Sequence, residues 1–307
     1  MRILVTGSNG MLGSDLVHEL SSIHEVFGLG ARSNRHSHIQ YTQADLSNAS
    51  EILKAVSTVK PAIIIHTAAY TDVDGCELNP NLAYSVNTKG TQYLTNVCNQ
   101  QGAVLFYIST DYVFDGQKKA PYTENDLPNP VSVYGKSKLQ AEEYIKSNAQ
   151  SAWIIRSSWL FGKTGKNFLR TMLNLFVSSQ TIQVVDDQIG APTYTYDLAH
   201  AISQMIEKTN RIQGHRIYHL ANQGLTSWYD VALRLREKTQ ARVLIERIKS
   251  AELKRAARRP MNSIFNMDRI KNDFGIQMRP WEAAVDEFWD DCLFHEWNHL
   301  ISQKTRV

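Results

Sequence analysis

The first thirteen residues, Met1-Arg2-Ile3-Leu4-Val5-Thr6-Gly7-Ser8-Asn9-Gly10-Met11-Leu12-Gly13, decide how the rest of the chain is read. An apolar run, Arg2–Thr6, has the length of a buried strand. It passes at once into a glycine-rich turn and then into Met11–Leu20, whose apolar spacing is helical. Gly7 permits a tight turn, and Gly10 lets backbone approach a pyrophosphate. Gly13 lets the helix settle against the sheet with its N-terminus facing the phosphates. The spacing is G-x-x-G-x-x-G, not the commoner G-x-G-x-x-G, and glycines alone mark only a turn. The place between first strand and first helix makes it a dinucleotide loop.

Further apolar runs at 25–29, 62–66, 104–109 and 153–157 read as buried strands. Between them, 50–59, 81–100 and 133–146 have helical length and spacing. Such alternation implies right-handed crossovers and a parallel sheet covered on both faces. The expected fold class is α/β, a doubly wound (Rossmann) parallel sheet with a smaller C-terminal substrate-binding lobe. After about residue 159 the rhythm breaks into helical segments at 167–177, 196–207 and 227–239 and a short strand at 242–248. No Gly/Pro/Ser linker intervenes. The expected division is therefore a dinucleotide-binding core over 1–160 and, over 161–307, mainly a lobe, with some segments returning to the core sheet. A ligand is expected between them, beyond the carboxyl ends of the strands.

Composition sets outer limits. The 307 residues are 43% hydrophobic and 21% charged, with a formal charge of +3, which suits a globular enzyme and gives no reason to expect nucleic acid. One basic cluster, 254–259, reads as a solvated helix end. Three scattered cysteines without CxxC spacing argue against a disulfide framework or a zinc site and fit a reducing compartment. Ile3-Leu4-Val5 is too short for a signal peptide or a membrane span, so a cytoplasmic protein without a membrane partner is expected. No low-complexity stretch or internal repeat stands out.

Cofactor choice turns on the loop after the second strand. Gly30-Ala31-Arg32-Ser33-Asn34-Arg35 offers no carboxylate for the adenosine ribose of NAD. Arg32 and Arg35 suit a 2′-phosphate; the alternative is an exposed basic loop. NADP(H) is accordingly preferred over NAD(H).

The sharpest chemical signal is Tyr134-Gly135-Lys136-Ser137-Lys138. Residues four apart share a helix face, so Tyr134 and Lys138 can address one site. A tyrosine ionises near pH ~10, and a neighbouring cation favours its ionised form, which makes proton exchange with a carbonyl or carbinol oxygen feasible. By itself Y-x-x-x-K is usually a surface pair; its place after the strand at 104–109 gives it weight. Ser109-Thr110-Asp111 ends that strand, where a hydroxyl could donate to a substrate oxygen; a Ser/Thr turn capped by Asp111 is the alternative.

Together these residues resemble the extended short-chain dehydrogenase/reductase superfamily and, within it, the dTDP-4-dehydrorhamnose reductase family. The strings that carry the resemblance are T-G-x-x-G-x-L-G at 6–13, Asp45-Leu46, 66–74, Asn87, 109–114 and 133–138. Further along they are Arg156-Ser157-Ser158-Trp159, Gly165-Lys166-Asn167-Phe168, 187–193 and Arg259-Pro260-Met261-Asn262-Ser263. The similarity runs from residue 1 to about 290, and 292–307 has no counterpart.

The resemblance implies reduction of the 4-keto group of a nucleotide-linked 6-deoxy-4-ketohexose by NAD(P)H, for deoxysugar and surface polysaccharide biosynthesis. It makes Tyr134 the proton donor, Lys138 its orienting partner and ribose ligand, and Thr110 the group polarising the ketone. Gly7, Gly10, Met11, Leu12, Gly13 and Arg32 would hold phosphates. Asp45 and Leu46 would flank adenine, while Ala68, Ala69, Tyr70 and Asn87 would run beside the cofactor. Thr110, Asp111, Trp159, Asn167, Gln188 and Arg259 would contact the nucleotide sugar.

Dehydratases of the superfamily carry Asp-Glu after the strand-end threonine, and here Tyr112 follows Asp111. An epimerase, or a non-catalytic regulatory subunit of the methionine adenosyltransferase type, is the alternative, although retention of Thr110, Tyr134 and Lys138 opposes the latter. The resemblance also allows for a homodimer and for Mg²⁺ on C-terminal acidic residues. No such site maps onto this chain, so no metal ligands are assigned. Trp297 and His299 in the tail read as interface residues.

Overall fold

A computed structural model describes residues 1–208 and 214–304. In its first half, strands β1 (Arg2–Thr6), β2 (Glu25–Gly30), β3 (Gln40–Gln43), β4 (Ile63–His66), β5 (Val104–Thr110) and β6 (Ala152–Ser157) alternate with helices. These helices are α1 (Met11–Leu20), α2 (Ala49–Val59), α3 (Val73–Leu78), α4 (Pro80–Ala83), α5 (Gly90–Gln101) and α6 (Val133–Asn148). The second half adds β7 (Leu160–Phe161), β8 (Thr181–Val185), β9 (Ile189–Gly190), β10 (Thr193–Tyr194), β11 (His215–His219), β12 (Thr226–Ser227) and β13 (Leu244–Ile248). Its helices are α7 (Phe168–Ser178), α8 (Thr195–Glu207), α9 (Trp228–Thr239), α10 (Asp268–Phe274), α11 (Trp281–Phe288) and α12 (Phe294–Lys304).

Seven strands form one parallel sheet in the order β11-β6-β5-β4-β1-β2-β3. The order reverses between β1 and β4, which opens a crevice at their carboxyl ends. Alternation along β1 sends Ile3 and Val5 to one face and Leu4 to the other. The first face packs on α1, α8 and α10 through Leu16, Ile202 and Phe274; the second packs on α2, α5 and α6 through Ile52, Leu94 and Ile145. Burial on both faces is why these strands read as unbroken apolar runs.

A third core, around Phe161, Leu173, Ile245, Val285 and Phe288, belongs to the C-terminal lobe. The segment that returns to the sheet is β11, paired with β6 from His215↔Ala152 to His219↔Arg156.

The helix expected over 81–100 is present and continuous, running from α4 through a π-helical turn at Tyr84–Lys89 into α5. Two expectations need correction. The basic cluster 254–259 is not a helix end but a loop, in which Arg255 and Arg259 pair with Asp74. Trp297, read as an interface residue, is 7% exposed and packs in the lobe core instead. The tail is thus held as a helix, α12, with Glu296 bonded to Arg170 of α7 at 2.7 Å.

Candidate active site

The glycine loop is a cradle built from backbone. Gly7 has φ +69°, and a Cβ there would lie 2.8 Å from the Ala68 backbone. A Cβ on Gly13 would lie 2.1 Å from the Gly7 carbonyl oxygen. Gly10 is the N-cap of α1 and has no side chain to cap it, so the helix's free N–H groups are left for an anion. These features fit a dinucleotide pyrophosphate. Asn9 ties the next wall to this loop: its amide donates to the Ser33 carbonyl (2.9 Å) and Tyr41 hydroxyl (3.3 Å), and it accepts from the Arg35 N–H (3.1 Å). Arg32 and Arg35 thereby line the same space as the glycines.

On the other side of the crevice, α6 presents Tyr134 and Lys138. Ser132 caps the helix by accepting from the Gly135 N–H at 3.1 Å. Gly135 has no room for a side chain, because a Cβ would lie 2.1 Å from the Tyr112 carbonyl oxygen. That close approach brings α6 against the turn following β5, where Thr110 and Asp111 stand. The Tyr134 ring meets Tyr112 edge-on at 5.5 Å. Lys138 is 3% exposed, donates to the Ile108 carbonyl at 2.7 Å and lies over the Tyr107 ring at 4.1 Å.

Electrostatics here follow burial. Desolvation pushes the Lys138 ammonium down to about 7, with Glu142 opposing. His66, bonded to Thr6 and Thr91, is pushed down to about 3 by burial and then by the Lys138 charge. Burial also holds the Tyr134 phenol well above its ordinary range; the Thr110 hydroxyl pulls it partway back and Asp111 pushes it further up. The expected ionisation of Tyr134 by its neighbouring cation is therefore outweighed by desolvation. A neutral phenol is the form that can give a proton.

One cavity of about 860 Å³ joins these parts. Of the expected residues, Gly7, Gly10, Met11, Leu12, Gly13, Arg32, Ala68, Ala69, Thr110, Asp111, Tyr134, Lys138 and Trp159 line it. Trp159, Lys166 and Trp228 of the C-terminal half also line it. Trp159 has φ +49° and stacks on Trp228 at 3.8 Å, with Gly190 so close that a Cβ would lie 2.4 Å from the indole. Trp228, Val73 and Thr71 are lining residues that the sequence reading did not single out. Trp228 sits in an ordinary amphipathic helix start, where an aromatic reads as core.

Seven expected residues lie outside the lining. Asn87, on the π-helical turn, accepts from the Tyr70 N–H (2.7 Å) and donates to the Tyr70 carbonyl (3.1 Å) and the Ser137 hydroxyl (3.0 Å). It clips the loop after β4 to α6. Asp45 accepts from the Ser47 N–H, and Leu46 is buried beneath Gly90. Asn167 caps α7 and donates to the Gly162 carbonyl; Gln188 donates to Ser250. Arg259 holds Asp74 at 2.8 Å, just behind Val73.

Comparison with known proteins places this geometry. The family model described as the RmlD substrate binding domain matches residues 1–294. A dTDP-4-dehydrorhamnose reductase of Aggregatibacter actinomycetemcomitans is 36% identical over 294 residues, covering 92% of this chain and 97% of that protein. The chain belongs to the dTDP-4-dehydrorhamnose reductase family. The spore coat polysaccharide biosynthesis protein SpsK of Bacillus subtilis is 34% identical over 94% of this chain and 96% of its own length. Among solved structures, the Bacillus anthracis dTDP-4-dehydrorhamnose reductase in complex with NADP superposes with a TM-score of 0.86 at 35% identity, covering 94% of this chain and 99% of that one.

The family match ends at residue 294, so nearly all of α12 lies beyond it. Among the described residues no helix is long and apolar enough to cross a membrane, and no group of three or more His, Cys, Asp or Glu is placed to hold a metal ion. The three cysteines are unpaired.

Proposed function

We propose that this protein reduces the C4 ketone of dTDP-4-dehydrorhamnose, or a close nucleotide-linked 6-deoxy-4-ketohexose, with NADPH preferred over NADH. The product serves deoxysugar and surface polysaccharide synthesis in the cytoplasm. The observation that carries this reading is the single cavity that joins the glycine cradle to Tyr134, Lys138 and Thr110. Arg32 and Arg35 in its wall, and the NADP carried by the Bacillus anthracis relative, support the cofactor preference.

A bound nicotinamide supplies the hydride. The chain's own residues do the rest. The Gly7–Gly13 backbone receives the pyrophosphate, and the loop from Ala68 onward runs alongside. Lys138, fixed by the Ile108 carbonyl, offers its remaining protons to ribose hydroxyls and to the Tyr134 oxygen. Thr110 donates a hydrogen bond to the ketone oxygen, and Tyr134, kept neutral by burial, gives that oxygen its proton. Trp159 and Asp111 face the sugar nucleotide. Asn87 is a positioning residue, holding the Tyr70 loop against the helix that carries Tyr134.

The test is NADPH oxidation by the purified protein, followed spectrophotometrically across a panel of nucleotide ketosugars. Oxidation is expected only with a dTDP-4-keto-6-deoxyhexose. Tyr134→Phe should lower kcat by about 10²–10⁴-fold while cofactor still binds. Isomerised sugar without net cofactor consumption would instead mark an epimerase, and full activity in Tyr134→Phe would remove the proposed acid.

A further inference from the structure

Thr110 has one hydroxyl proton, and two acceptors compete for it. Its oxygen accepts from the Tyr112 backbone N–H at 3.2 Å and donates to Asp111 Oδ1 at 3.0 Å. An ionised carboxylate can only accept. While Asp111 is charged, the Thr110 proton is drawn to it and away from any ketone in the cavity. A protonated Asp111 reverses that bond. It donates to the Thr110 oxygen, whose two lone pairs can receive both Asp111 and the Tyr112 N–H. The Thr110 proton is then free to point at the substrate.

The surroundings of Asp111 raise its affinity for a proton above that of an exposed carboxyl. It is 2% exposed, it lines the cavity, and its Oδ2 has no hydrogen-bond partner among the described residues. The groups that face it are Thr110 and Tyr112 of its own turn, Tyr134 of α6, and Ser263 of the segment after β13. Both tyrosines are kept neutral by burial, and the Lys138 ammonium of α6 donates to the Ile108 carbonyl and makes no hydrogen bond to Asp111. Burial pushes the Asp111 carboxyl up to about 6, with the Ser263 and Thr110 hydroxyls and the backbone N–H groups of Asp111 and Tyr112 pulling partway back. The Ser263 hydroxyl does not complete a hydrogen bond to Oδ2. A diphosphate-bearing ligand entering the cavity adds negative charge and expels water, and both push the carboxyl further in the same direction.

We propose that Asp111 is a positioning residue acting through Thr110: protonated, it turns the Thr110 hydroxyl proton toward the ketone oxygen, and ionised, it withdraws that proton. The proton delivered to product still comes from Tyr134, and Asp111 keeps its own. This inference rests on the ketosugar reductase reading above.

The test compares kcat/KM for dTDP-4-dehydrorhamnose with NADPH between pH 5.5 and 8 in wild type, Asp111→Asn and Asp111→Ala. Quenching of NADPH fluorescence confirms that each variant is folded and binds cofactor. An asparagine amide donates to Thr110 as a protonated carboxyl would, and it does not titrate. The ratio of Asp111→Asn to wild type should therefore rise at least fivefold across this range; the Lys138 titration is common to both and cancels. Asp111→Ala should be at least tenfold below Asp111→Asn at pH 8, and in a Thr110→Val background the Asn/Asp ratio should be flat with pH. A constant ratio in an active wild-type enzyme, or equal losses in Asn and Ala variants, overturns the role of Asp111 alone. A wild type inactive toward every nucleotide ketosugar overturns the reductase reading and this inference with it.

Discussion

Lys138 is a buried ammonium that donates to a backbone carbonyl and to no carboxylate among the described residues. Its pKa is lowered to about 7 from an unfolded value of 10.5, so between these limits the unfolded chain binds the extra proton and folding stability rises with pH. Stability of wild type relative to Lys138→Met should therefore increase from pH 7 to 9.5, as read by denaturant midpoints, and should level off below pH 7. A flat difference would mean the ammonium is better solvated than its burial implies. The opposite sign holds for Asp111: its raised carboxyl lets the native state hold a proton between about 4 and 6, so stability falls as pH rises through that window.

At this scale the sequence was informative where chemistry and fold position coincide. Tyr134, Lys138 and Thr110 could be picked out because a helix spacing and a strand end placed them together. Asn167, Gln188 and Arg259 were expected on the substrate, but their hydrogen bonds go to a helix cap, to Ser250 and to Asp74. A family string marks a helix cap as readily as a ligand, and residue identity alone does not separate the two.

The element that decides the site is α6, because its approach to β5 is set by Gly135. Gly135→Ala drives a methyl against the Tyr112 carbonyl, which should cost about 1–3 kcal/mol of stability. The same shift moves Tyr134 away from Thr110, so kcat should fall more than NADPH affinity does; unchanged kcat would mean that the helix can recede without loss. On the facing turn, Asn87→Ala leaves backbone groups of Tyr70 unpaired and should cost about 1–3 kcal/mol, seen as a lower unfolding midpoint. The π-helical turn that carries Asn87 was not legible, since six residues of widened helix keep nearly the apolar period of an α-helix. Strand β3 was missed for a different reason. It is the sheet edge, half exposed, and Gln40-Tyr41-Thr42-Gln43 lacks the buried strands' apolar run.

Across the molecule, residues from both faces of the sheet and from the C-terminal lobe line one cavity. Trp297 seals the lobe core from a helix that lies beyond the family match, so Trp297→Ala should cost about 3–5 kcal/mol in a chemical denaturation experiment. Little change would mean that α12 is dispensable to the lobe. The doubly wound core was readable because its strands are buried on both faces, whereas the lobe's two-residue strands carry no period to read.

The return of β11 to the sheet has a consequence in time. Strand β6, with Trp153, Ile154 and Ile155 buried, is finished at residue 157, but its outer neighbour spans His215–His219. During synthesis the ribosome must add some sixty residues while β6 stands with one row of backbone N–H and C=O groups unpaired. In that interval the open edge of β6 can pair with a wrong partner, and the arrival of β11 closes it.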